Sequence, residues 1–269
     1  MFMNIAELRK TPHLSASAIN DYLDCGLSYK FGRIDGIVSE SYSASLLVGS
    51  CIHKALEDFH LARQQNHRKT EDFLHERFDH YWKEELESDR NYRFDESESP
   101  DELIQLSKQL LTVYYKNFSF KDYRVLNVEM PFSFEVEGVD VPIIGVIDLV
   151  EVDSSGLVII TDFKTASKAY SKADINSNLQ LTLYYMAARQ CGFDANEILL
   201  KFDCMIKTKT PKFAQYYTIR TEQDEIRMVK KVQEVWKAIQ NGTFVPHDGT
   251  WKCGYCSFRN HCDRWFSGL

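Results

Sequence analysis

Gly145-Val146-Ile147-Asp148-Leu149-Val150-Glu151-Val152-Asp153-Ser154-Ser155-Gly156-Leu157-Val158-Ile159-Ile160-Thr161-Asp162-Phe163-Lys164 reads as two apolar strands joined by a three-residue turn. Ser154-Ser155-Gly156 is a common hairpin connection, with the glycine in the left-handed position. Pairing Asp153 with Leu157 makes opposite residue numbers sum to about 310, so that Asp148 faces Asp162 to within a residue of slippage. Directly opposed side chains in a sheet have Cβ atoms about 4.5–5.5 Å apart, where like charges repel. Apolar surroundings strengthen the repulsion, and a divalent cation between the carboxylates would reverse it. Lys164, two residues on, projects from the same face as Asp162. Opposed carboxylates followed by x-Lys are a minimal kit for metal-assisted phosphodiester hydrolysis. The carboxylates hold Mg²⁺ or Mn²⁺; the metal polarises the phosphate and acidifies a water, which the lysine orients or deprotonates. The same residues also suit a purely structural Asp–Lys ion pair at a sheet edge.

Around this hairpin the pattern alternates between helix and strand. Ser15 caps a short helix ending near Cys25-Gly26. Residues 44–63 are helical, with Leu47, Ile52, Leu56 and Phe59 on one side, and two more helices fall near 70–88 and 101–118. The polar run 95–100 separates the latter two. Strands are expected over 125–136, 141–153 and 157–164, a helix over 175–190, strands near 198–208 and 213–219, and a helix over 222–240. The last carries Ile226, Val229, Val232, Val235 or Trp236, and Ile239 at helical spacing. Strands interleaved with helices give an α/β fold, a mixed central sheet with flanking helices.

With 269 residues, 44% hydrophobic and 13% aromatic, the chain can bury a core, which excludes wholesale disorder. No apolar run approaches the ~18 residues a spanning helix needs, so no membrane partner is expected. The start shows no basic segment followed by an apolar one, so a cytoplasmic protein is expected. A net charge of −7 argues at first against nucleic acid. Residues 71–102 hold 13 acidic and 4 basic side chains, however, while residues from Lys201 onward hold 12 basic and 7 acidic ones. The average therefore conceals a moderately basic remainder.

Two further pieces join the carboxylates. Gly49-Ser50-Cys51-Ile52-His53 lies in a helix with Glu57 one turn beyond. A helical histidine serves either in packing or as a Mn²⁺ ligand. Gln180 and Tyr184 share one helix face at i, i+4. In this order, Gly49-x3-His53, Gly145-x2-Asp148, Asp162-Phe163-Lys164 and Gln180-x3-Tyr184 resemble the PD-(D/E)XK nuclease superfamily, in particular its RecB-like branch. The resemblance covers roughly residues 14–265. It implies a restriction-endonuclease-like core, with His53, Asp148, Asp162 and the Phe163 carbonyl holding the metal. By the same resemblance Lys164 is the catalytic lysine, and Gln180 and Tyr184 order the site or position DNA. It further implies an exonuclease favouring single-stranded DNA ends, with protein partners in a repair, recombination or CRISPR adaptation complex. Tyr29, Lys30, Phe31 and Arg33 are placed to stack on and neutralise such a strand. A non-catalytic DNA-binding or adaptor subunit of the same fold is the rival reading. No Walker A loop is present, so a stand-alone nuclease or a subunit is expected rather than a helicase fusion.

Seven cysteines in a reducing compartment do not suggest disulfides. Cys253-x2-Cys256-x5-Cys262 reads as metal ligation. Together with Cys25, these three resemble the [4Fe–4S] clasp of AddB-type and CRISPR-associated RecB-like exonucleases. Closing a loop from Cys25 to Cys253 costs roughly 5 kcal/mol by the logarithmic scaling law, which a thiolate cluster would offset. Zn²⁺ held by the three C-terminal cysteines with His261 or His247 is the alternative. Cys51, Cys191 and Cys204 are expected to be buried small hydrophobes. The organisation expected is a single nuclease domain over 1–269. It comprises an N-terminal segment (14–43) with the first cysteine, a helical insertion (44–120) carrying His53, a catalytic core (121–221), and a C-terminal helix with the cysteine clasp (222–269) joining the termini.

Overall fold

Apolar periodicity, capping side chains and turn glycines set the elements of this chain. The computed structural model describes residues 4–39, 41–94, 99–119, 123–194 and 197–268; most of the polar run 95–100 lies outside them. The chain forms two units, each built from discontinuous segments. One comprises 1–42, 132–145 and 221–269, the other 43–131 and 146–220.

The larger unit begins with α4 (Ala44–Gln64), whose N-cap Ser43 accepts from the Leu46 N–H. α5 (Glu71–Leu86) and α6 (Pro100–Asn117) follow, the latter with proline in its first turn, where a missing N–H costs nothing. Leu47, Ile52, Leu56 and Phe59 are all fully buried, with Leu74 and Phe78 of α5 and Leu110 and Tyr114 of α6. They form one core with Leu149, Phe163 and Met205 from the sheet. Each such side chain contributes about 1.5–3 kcal/mol by burial.

After the two-residue strands β1 (Tyr42–Ser43) and β2 (Tyr92–Arg93), the main sheet runs in the order β3 (Arg124–Phe134), β4 (Ile143–Val152), β5 (Val158–Ala166), β6 (Ile198–Ile206), β7 (Lys212–Thr218). β4 pairs β5 and β6 pairs β7 antiparallel, while β5 and β6 are parallel. A parallel pair needs a crossover. α7 (Lys172–Asn176) and α8 (Leu179–Gln190) supply it. This is the expected mixed α/β sheet flanked by helices.

The smaller unit holds α1 (Ile5–Leu8), α2 (Ala16–Asp24), α3 (Gly26–Tyr29), α9 (Glu222–Gln240) and α10 (Arg259–Ser267). Ser15 caps α2 as the sequence predicts. N-terminal and C-terminal segments interlock here. Tyr22 Oη donates to the Thr243 carbonyl at 2.6 Å, and Tyr29 stacks on Phe244. A side chain at Gly26 would meet the Val245 nitrogen at 2.9 Å, so glycine permits that approach.

Four expectations need correction. The helix over 175–190 is broken at Ser177-Asn178, because Asn178 leaves the helical conformation to cap α8 through the Leu181 N–H. Tyr29 and Phe31 are buried, Lys30 pairs with Asp35, and Arg33 pairs with Asp21, so this group presents no stacking surface. Cys191 is exposed past the end of α8, whereas Cys51 and Cys204 are buried. On α9 the buried stripe is Met228, Val232 and Val235, and Ile226 is 44% exposed.

Candidate active site

The hairpin register decides the geometry. Leu149 lies opposite Thr161, Val150 opposite Ile160 and Val152 opposite Val158, each pair of numbers summing to 310. The ladder ends at Leu149 and Thr161, and the same count one step further sets Asp148 against Asp162. Gly156 sits at φ +96°, and the Asp153 N–H donates to the Leu157 carbonyl at 3.0 Å. Gly145, three residues before Asp148, is glycine because a Cβ there would lie 2.5 Å from the Phe132 ring.

Asp148 and Asp162 are 8% and 1% exposed. The Phe163 N–H donates to Asp148 Oδ2 at 2.8 Å, and His53 Nδ1 of α4 lies 3.6 Å from the same oxygen. Burial first, and then the charge of Asp162, push the Asp148 carboxyl up to about 6. His53 and Asp148 line a cavity of about 480 Å³ with Ser45, Gly49, Glu57, Glu129 and Thr165.

Asp162 closes a ring of polar contacts. Lys164 Nζ lies 2.6 Å from Asp162 Oδ2 and donates to Gln180 Oε1 at 2.9 Å. Gln180 Nε2 donates to Tyr184 Oη at 2.6 Å, and Tyr184 Oη donates to Asp162 Oδ1 at 3.5 Å. The directions are forced. An ammonium only donates, so the amide must turn its oxygen to Lys164 and its NH₂ to Tyr184, leaving the phenol proton for the carboxylate. Burial opposes the charge on Lys164, yet the adjacent Asp162 raises its pKa overall. Burial, then Asp148 and Asp162, hold the Tyr184 phenol well above its ordinary range.

Two site features escaped the sequence. Glu129 lines the cavity from β3 at φ +48°, a left-handed conformation uncommon for a residue with a side chain. A lone acid in an apolar strand was the available signal. His60, one helical repeat beyond His53, is fully buried and stacks on Phe163 with centroids 5.4 Å apart.

The smaller unit holds the cysteines. Cys25, Cys253, Cys256 and Cys262 are half-buried free thiols that line one cavity of about 300 Å³. The His247 N–H donates to Cys25 Sγ at 3.3 Å. Hydrogen bonds from Thr250 pull the Cys253 thiol down. Burial, then the neighbouring Cys25 and Asp263, push the Cys262 thiol up. His247 lines the cavity, but its Nδ1 is engaged with the Asp24 carbonyl at 2.9 Å, and His261 does not line it.

Among the described residues, no three His, Cys, Asp or Glu side chains form a ready-made cation site. Donor chemistry nevertheless fits. Buried carboxylates with an imidazole suit a hard divalent cation, and four thiols around one cavity suit a thiophilic metal centre.

A family model of the PD-(D/E)XK nuclease superfamily matches residues 13–263. The chain belongs to the PD-(D/E)XK nuclease superfamily. Its fold is similar to that of a candidate exonuclease from Eubacterium rectale, with a TM-score of 0.55 at 13% identity over 90% of this chain and 87% of that one. A second solved structure, SSO0001, aligns with a TM-score of 0.36 at 17% identity over 87% of this nuclease and 92% of that chain. A search of curated proteins by sequence finds no match. No helix among the nuclease's described residues is long and apolar enough to cross a membrane.

Proposed function

We propose that the chain is a RecB-like DNA exonuclease that hydrolyses phosphodiester bonds at single-stranded ends with Mg²⁺ or Mn²⁺. The observation that carries this reading is the ring Asp162–Lys164–Gln180–Tyr184, set opposite Asp148. His53, Asp148, Asp162 and the Phe163 carbonyl would hold the cation. When bound, it supplies Lewis-acid polarisation of the phosphoryl oxygen. Lys164 Nζ, kept cationic by Asp162 and aimed by Gln180, orients the attacking water and donates to charge developing on the phosphate. Gln180 and Tyr184 fix the lysine and the Asp162 carboxylate in one geometry.

Cys25, Cys253, Cys256 and Cys262 would bind a [4Fe–4S] cluster. The four thiols share a cavity, and Cys25 rather than His261 lines it. Hydrogen bonds to cluster sulfurs are a common way of tuning such centres, and the His247 N–H already points at Cys25 Sγ.

The test is cleavage of end-labelled single- and double-stranded DNA with Mn²⁺. The wild type should shorten single strands from an end, and Lys164→Ala should not. DNA binding without any cleavage by the wild type would favour the non-catalytic subunit instead.

A further inference from the structure

Three strand ends bring together lysines that the chemistry above does not use. β5 and β6 stay in parallel register to Ala166 opposite Ile206, and the Lys207 N–H continues the ladder to the Ala166 carbonyl at 2.7 Å. β7 begins with Lys212 opposite that same Ile206. The segments leaving this end of the sheet carry Lys168, Lys207, Lys209 and Lys212, whereas Asn176 of α7 accepts a hydrogen bond from Thr218 at the other end of β7. Residues 163–173 and 204–221 contain no aspartate or glutamate, in a chain whose net charge is −7. The next carboxylate along the chain, Asp174, accepts from Ser171 in a capping box and feels the charge of Lys168. Lys168, Lys209 and Lys212 are exposed.

This rim is continuous with the candidate active site. Lys164 precedes the end of β5 by two residues, about 7 Å at the rise of a strand. Lys207 Nζ donates to Ser45 Oγ at 3.4 Å, and Ser45 and Thr165 line the cavity with His53 and Asp148. Like charges crowded at one sheet end repel one another, and a polyanion relieves that repulsion.

We propose that Lys168, Lys207, Lys209 and Lys212 form a track for the phosphate backbone of the nucleic-acid strand entering or leaving the site. The track rests on the nuclease reading and adds to it where the strand runs. Lysine is a flexible point charge without the planar fork that reads a base edge. The track therefore grips backbone irrespective of sequence, as an enzyme consuming strands of any sequence requires.

The experiment measures binding of a fluorescein-labelled oligo-dT by anisotropy across a range of salt concentrations, in an Asp162→Asn parent that leaves the oligonucleotide intact. Lys168→Gln, Lys209→Gln and Lys212→Gln are added together. Each neutralised single-strand phosphate contributes about 0.7 to the log–log salt slope, so the slope should shrink by about 2, with affinity near 0.1 M salt falling about tenfold or more. A control with Lys83→Gln, Lys116→Gln and Lys230→Gln removes the same charge elsewhere and should keep the parent's slope and affinity. If the parent binds and the wild type cleaves, yet the rim variant binds like its parent, the track is wrong and the nuclease reading stands. If the parent binds no oligonucleotide and the wild type cleaves none, both fall together.

Discussion

Asp148 and Asp162 are two buried acids on facing strands, and what they do depends on what neutralises them. Lys164 sits against Asp162, while Asp148 has the Phe163 N–H and a half-exposed imidazole. Asp148 therefore keeps its proton up to about pH 6 in the metal-free protein, with a folded pKa of about 6 against an ordinary 3.8. The sign follows by linkage. The group's stabilisation is complete below the unfolded value and is lost as pH rises through about 6, a change on the order of 3 kcal/mol. A cation must displace that proton. Mn²⁺ binding should weaken as pH falls below about 6 and should release protons there, which calorimetry in two buffers of different ionisation enthalpy would show. A Mn²⁺ affinity flat from neutral to acid pH would remove Asp148 from the site. Gln180→Leu should keep the fold but lower the rate of cleavage about 10–100-fold, the usual cost of losing an outer partner. The register of this pair was legible because a turn glycine fixes it locally. Glu129 was not, because its place at the cavity depends on a backbone conformation its own residue type does not favour.

At the scale of elements, the seating of α4 on the sheet decides whether His53 meets Asp148. Beneath the helix lies a buried polar network. Arg63 Nη1 donates to Glu151 Oε1 at 2.9 Å and to His60 Nδ1 at 2.7 Å. His60 is thus an acceptor at Nδ1, so its proton sits on Nε2 and is donated to Tyr114 Oη at 2.7 Å. Burial first, then Arg63 and Lys201, keep this imidazole neutral. Lys201 Nζ lies 3.3 Å from Asp203 Oδ2 and 3.9 Å from Glu151 Oε2, the latter without a hydrogen-bond partner among the described residues. Removing one partner of such a pair leaves a buried charge, so Arg63→Met should cost about 3–5 kcal/mol in urea unfolding. Arg63→Met with Glu151→Leu should cost less than the sum of the single changes. Strict additivity would mean the two side chains do not act as a pair. The helices themselves were readable from periodicity. The break at Ser177-Asn178 was not, since an apolar stripe continues across it while a side-chain cap overrides it locally.

At the scale of the whole molecule, the candidate chemistry and the cysteine cavity fall in different units. The smaller unit interlocks its terminal segments through direct contacts, including Lys252 with Asp24 at 2.7 Å and Tyr22 with Thr243. A metal bound by Cys25, Cys253, Cys256 and Cys262 would add to that. Anaerobically purified protein should be brown and contain iron, and Cys256→Ala should lose the iron and lower the melting temperature while retaining Mn²⁺ affinity in the other unit. One zinc per chain and no iron by elemental analysis would replace the cluster with a zinc centre. Undiminished metal in Cys25→Ala would exclude Cys25 from the ligands.

The sequence by itself determined the hairpin register, the helix capped by Ser15, the helices over 44–63 and 222–240, and the clustering of three C-terminal cysteines. Each is encoded within a few residues by turn geometry, capping or spacing. Only the tertiary structure decided that Tyr29 and Phe31 are buried against Phe244 and Phe258. It set Cys25, which the resemblance had grouped with the C-terminal cysteines, at their cavity and kept His261 out of its lining. It also joined the lysines of two separate segments at one end of the sheet. Those arrangements join residues tens to hundreds of positions apart, and their formation depends on every element between them having already packed.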